Sequence, residues 1–120
     1  MRTIPFKILK TIQSYNSGGE GVTVEEKDET IEISIRKQFD TPGYFMNVDK
    51  IVEEDHDNYS IYLHIIPPES DSILLQIITY KTIILEIAKK DLMDLRFYSF
   101  KVKDHMNLNL ISGKGDIKEC

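Results

Sequence analysis

The residues from which chemistry could be built are few. They are His56, His64 and His105, the single Cys120, a glycine cluster at Gly18-Gly19-Glu20-Gly21, and the acidic run Glu53-Glu54-Asp55-His56-Asp57. Nucleophilic catalysis needs a serine or cysteine held beside a base. Cys120 is the last residue, and no Gly-x-Ser-x-Gly elbow is present to expose a serine. The glycine cluster runs into Val22-Thr23-Val24, not into the Lys-Ser/Thr and helix that a phosphate cradle requires, so it reads as a flexible hairpin loop. The acidic run lacks the central glycine of a calcium loop and reads as a solvated, self-repelling turn. His64 falls on the outward side of an alternating segment, and His105 lies among Lys103, Asp104 and Asn107. These residues predict no enzyme, no metal site and no cofactor.

The elements that would position any site are strands. Ile31, Ile33 and Ile35 alternate with Glu32, Ser34 and Arg36, the period of a strand with one buried face. Tyr59, Ile61, Leu63 and Ile65 repeat the pattern, as do Ile83, Leu85 and Ile87, and then Tyr98, Phe100 and Val102. Ile4, Phe6 and Ile8 alternate around an outward Pro5, which cannot donate to a ladder and so predicts a sheet edge. The apolar stretch from Ile73 to Ile87 predicts a strand pair, or one long bent strand, buried on both faces. Gln76 inside it needs a partner if buried. The one helical candidate is Lys89 to Leu95.

Turn chemistry separates these runs at Asn16-Ser17-Gly18-Gly19, Thr41-Pro42-Gly43, Asp55-His56-Asp57-Asn58 and Pro67-Pro68. The sum is an all-β domain, an antiparallel sandwich or small open barrel of about seven or eight short strands with at most one short helix. It spans residues 1–111, and 112–120 reads as a flexible C-terminal tail.

Charge and composition bound the partners. The chain carries 20 acidic against 15 basic residues, a formal net charge of −5, which argues against a non-specific grip on nucleic acid. A lone terminal thiol fits a reducing compartment. The charged N-terminal stretch holds no signal-peptide core, and no apolar run approaches the ~18 residues of a membrane span. A cytoplasmic protein without membrane contact is expected.

The segment 33–92 resembles the C-terminal domain of the PrcB family, subunits of protease complexes or protease-stability proteins. Thr41-Pro42-Gly43-Tyr44 stands where that family carries Thr-Gly-Gly-Tyr, followed by an alternating strand from Phe45 to Ile51 and an acidic turn. Next come Tyr59-Ser60-Ile61-Tyr62-Leu63, the pair Pro67-Pro68, and Leu75 to Lys81 running into Ile83-Ile84-Leu85-Glu86-Ile87. Lys81 replaces a family proline, so the strand there can continue. A tight turn would give Gly43 a positive φ, with Tyr44 anchoring the next strand. The resemblance implies a β-fold and a binding role, and carries over no catalytic residue.

The function expected is therefore that of a non-catalytic protein-binding module: inhibitor, stabiliser or assembly subunit. A small-ligand-binding β-domain with a pocket between its sheets is the alternative. The candidate partner-binding residues are Phe45, Glu53, Glu54, Asp55, Tyr62 and Tyr80. Their acidic members predict a partner with a basic surface. The same features are compatible with a homo-oligomer.

Overall fold

The computed structural model describes residues 2–15, 18–55, 58–69, 76–92, 99–104 and 110–114. Among the described residues nine strands form two sheets packed as a sandwich. They are β1 (Arg2–Thr3), β2 (Lys7–Ser14), β3 (Gly21–Glu26), β4 (Thr30–Phe39), β5 (Phe45–Asp55), β6 (Asn58–Ile66), β7 (Thr79–Ala88), β8 (Ser99–Asp104) and β9 (Leu110–Lys114). Sheet A has the order β1-β5-β6-β8-β9, and sheet B the order β2-β7-β4-β3. All pairings are antiparallel except β6 with β8, which run parallel.

The period of two decides what faces inward. Ile31, Ile33 and Ile35 of β4 meet Ile83, Leu85 and Ile87 of β7 in register, and all are buried. Tyr59, Ile61, Leu63 and Ile65 of β6 face them from sheet A, with Phe100 and Val102 of β8 alongside. Each fully buried Ile or Leu contributes about 1.5–3 kcal/mol, which makes this face the main stabilising feature. Tyr59 and Phe100 stack with ring centroids 5.4 Å apart and join β6 to its parallel neighbour.

The N-terminal run occupies both sheets. β1 pairs with β5, and β2 is an edge of sheet B, with Ile4-Pro5-Phe6 crossing between them. Ile4 is fully buried and its N–H donates to the Ile51 carbonyl at 2.8 Å, while Pro5 lies exposed where no donor is needed. Thr41-Pro42-Gly43 also carries the chain from one sheet to the other. There the Gly43 N–H faces the Thr41 hydroxyl at 3.5 Å, and Phe39 stacks on Tyr44 at 4.7 Å.

Several expectations are corrected. Among the described residues the glycine with positive φ is Gly19 (φ 73°), so Gly43 turns the chain without left-handed strain, Pro42 having already fixed the bend. The Gly18–Gly21 segment closes no hairpin, because β2 and β3 lie at opposite edges of sheet B. Instead it passes over the sheet end, where Glu20 Oε2 accepts the Gln38 N–H at 2.9 Å. From Ile83 onward β7 alternates between buried and half-buried residues, while at its start Thr79 and Tyr80 are both buried; Ile84 is only half-buried and Gln76 is exposed, so Gln76 needs no internal partner. β7 runs unbroken through Lys81, whose ammonium donates to the Tyr44 carbonyl.

The helical candidate is a 3-10 turn, Lys89–Asp91, tied to the β3–β4 hairpin by Lys89 N–H to the Glu29 carbonyl and by the Lys89–Glu26 ion pair at 2.7 Å. Ser112 to Lys114, expected in a frayed tail, belong to β9, because β8 offers them an open edge in register. Leu95, Ile73, Tyr98, His56, Asp57, His105 and residues 115–120 lie outside the described residues.

Candidate functional site

The outer face of sheet A gathers most of the candidates. On β6 the residues Tyr62, His64 and Ile66 point away from the core, alternating with buried Ile61, Leu63 and Ile65. Register then places Phe45 opposite Ile66, Asn47 opposite His64, and Lys50 opposite Tyr62. On the other side of β6, Lys103 stands beside Tyr62 and Lys101 beside Ser60. The face thus runs from an apolar pair at one end to a row Lys50–Tyr62–Lys103 across three strands.

That row is held firmly. Lys50 and Lys103 each place their ammonium 5.2 Å from the Tyr62 ring centroid. The Tyr62 hydroxyl donates to Glu54 Oε1 at 2.9 Å, and Lys103 Nζ lies 3.4 Å from that hydroxyl and 3.5 Å from the same carboxylate. The tyrosine hydrogen bond, outweighing partial burial, holds the Glu54 carboxyl below the usual carboxylate range. At Lys103 partial burial pulls downward, but the Tyr62 hydroxyl and the Glu54 charge outweigh it and raise its pKa. A lowered carboxylate pKa contributes stability that is present above the unfolded value near 4.5 and is lost as pH falls through the folded one. We expect Tyr62→Phe to move the Glu54 titration upward in an NMR-monitored pH series while leaving the fold intact. An unmoved Glu54 titration would mean that the hydrogen bond does not set it.

The six sequence candidates are divided by the structure. Phe45, Glu54 and Tyr62 share this face. Glu53 faces the opposite side, where it accepts from Arg2 Nε at 3.0 Å, and Arg2 also donates to the Asp91 carbonyl. Asp55 is exposed at the end of β5. Tyr80 belongs to sheet B and is buried to 7% exposure, with the Arg36 guanidinium 4.5 Å above its ring, so its expected exposure is corrected. Glu53 and Glu54 are likewise bonded within the fold, and the picture of a fully solvated acidic turn does not hold for them.

No family model, curated protein or solved structure matches this chain.

Sequence reasoning missed Lys50, Lys101, Lys103 and Ile66. Alternation alone puts Ile66 and both β8 lysines outward, but only the β6–β8 pairing brings them beside Tyr62. Among the described residues, the core side chains that face between the sheets are almost wholly buried. A concavity of about 290 Å³ lies instead on the outer face of sheet B, lined by Gly18, Gly19, Thr23, Ser34, Arg36 and Thr82. Gly18 packs so closely on Arg36 that a Cβ there would come within 2.6 Å of the guanidinium. Among the described residues no group of three or more His, Cys, Asp or Glu side chains is placed to hold a metal ion.

Proposed function

We propose that this chain is a non-catalytic protein-binding module, an inhibitor, stabiliser or assembly subunit, that engages its partner through the outer face of sheet A. The observation that carries the reading is the Phe45–Ile66 pair. Two large apolar side chains stand directly opposed at 50% and 47% exposure, on a face whose other end is an ordered aromatic and charged row. Interfaces concentrate their energy in such apolar and aromatic anchors rimmed by polar groups. Support of a protease, as the resemblance to the PrcB family implies, is the form of this activity we favour. Among the described residues no helix is long and apolar enough to cross a membrane, and the cytoplasm is the compartment we propose.

The test is co-purification from native lysate with mass spectrometry, comparing the wild-type chain with Phe45→Asp/Ile66→Asp. Both side chains are half out of the fold, so the double variant keeps its unfolding transition. Each anchor supplies about 2 kcal/mol or more of binding, so a protein retained by the wild type is lost from the variant. Identical retention by both would remove this face from the account. The second reading, small-ligand binding, has the Arg36 concavity in its support, and a small molecule released on denaturation is its signature.

A further inference from the structure

We infer that the segment docking on this face is an acidic, extended polypeptide, with carboxylates over Lys50, Lys101 and Lys103 and an apolar side chain against Phe45 and Ile66. This rests on the proposed function and names its partner's chemistry. The sequence alone suggests a basic partner, because Glu53, Glu54 and Asp55 are consecutive. In the fold Glu53 turns to Arg2, and Glu54 is engaged by Tyr62 and Lys103. Asp49, the bulged residue beside Lys50, also has a partner within the chain. What the face offers a newcomer is therefore net cationic: Lys50 and Lys101 beside Lys103, whose charge is shared with Glu54, with His64 exposed between them and the apolar pair.

Geometry sets the pattern. Lys101 and Lys103 are two residues apart on one strand, about 7 Å, which is also the i to i+2 spacing of an extended peptide. Tyr62 to Ile66 spans four residues of β6, about 13 Å, so the partner's apolar residue sits about four positions from its carboxylates. A polyanionic nucleic acid is the less favoured occupant. The Tyr62 ring is already flanked by two ammonium groups and its hydroxyl is bonded, so it is not presented for base stacking. A second copy of this chain is the remaining competitor. Glu25, Glu32 and Glu86 stand side by side on the outer face of sheet B and could supply the carboxylates.

Fluorescence anisotropy decides the matter, using a short labelled peptide with Glu-x-Glu and a leucine spaced as above. Its lysine counterpart and a short single-stranded oligonucleotide serve as competitors. The acidic peptide should bind, weaken as salt rises, and lose at least about tenfold in affinity to Lys50→Glu/Lys101→Glu. Lys103 is left alone because the fold uses it. Stronger binding of the lysine peptide, displacement by the oligonucleotide, or no binding of the acidic peptide would each overturn the inference. So would concentration-dependent sedimentation of the chain alone that Glu32→Lys abolishes. These outcomes are separate from the proposed function, which stands or falls on whether a partner depends on Phe45 and Ile66.

Discussion

Leu63→Asp should abolish the cooperative unfolding transition and the β signal in far-UV circular dichroism. Leu63 is fully buried in β6, a strand with neighbours on both sides, and Ile33 is fully buried in β4 of the other sheet. An aspartate there must either ionise without a partner or carry its proton into an apolar layer. The cost is several kcal/mol, against the roughly 5–15 kcal/mol that holds a domain of this kind together. Ile33→Asp should do the same from the opposite sheet. Normal melting of both variants would mean that the inward register of β4 and β6 is wrong.

Phe100→Ala should cost about 3–5 kcal/mol, measured as a fall in the denaturant midpoint. Phe100 is fully buried and stacks on Tyr59, which is itself almost inaccessible, so the lost ring leaves a void bounded by side chains fixed in two strands. The effect reaches further than a cavity. Among the described residues β8 is hydrogen-bonded into sheet A through its parallel pairing with β6, and β9 through β8, with β9 also lying against β3 of sheet B. A weakened β8 should therefore loosen the hydrogen bonds of β9 as well, and amide exchange at Leu110 to Lys114 should accelerate more than at β4. A loss under about 1 kcal/mol would place the β6–β8 contact outside the core.

Much of this fold is legible in the sequence because each strand carries its own instructions. The alternations Ile31-Ile33-Ile35, Tyr59-Ile61-Leu63-Ile65 and Ile83-Leu85-Ile87 state which faces meet, and Pro5 marks the run that reaches both sheet edges. Pairing order is not local and was not legible. Nothing within Ser99 to Asp104 says that it runs parallel to β6, and nothing near Thr41 to Gly43 says that the turn changes sheets. The candidate site suffered for the same reason. Glu53 and Glu54 find their cations 51 and 49 residues away, so three consecutive acidic letters overstated the negative charge of that surface. Tyr80 looked available because its cover, Arg36, comes from another strand.

The balance of charge over the molecule follows from the same pairing. Sheet B aligns Glu25, Glu32 and Glu86 across three strands, a like-charge arrangement that costs stability. Sheet A aligns Lys50 and Lys103 about Tyr62. A chain of net charge −5 thus presents a lysine row on one side, and the exposed Phe45–Ile66 pair stands on that side.

The central claim is that this side is the binding surface, and amide hydrogen exchange of the chain with and without its co-purified partner tests it most directly. We predict slowed exchange in Phe45 to Lys50 of β5 and Tyr62 to Ile66 of β6, with β3 and β4 unchanged. Protection confined to Gly18 to Glu26, with β5 and β6 exchanging as in the free chain, would contradict the account.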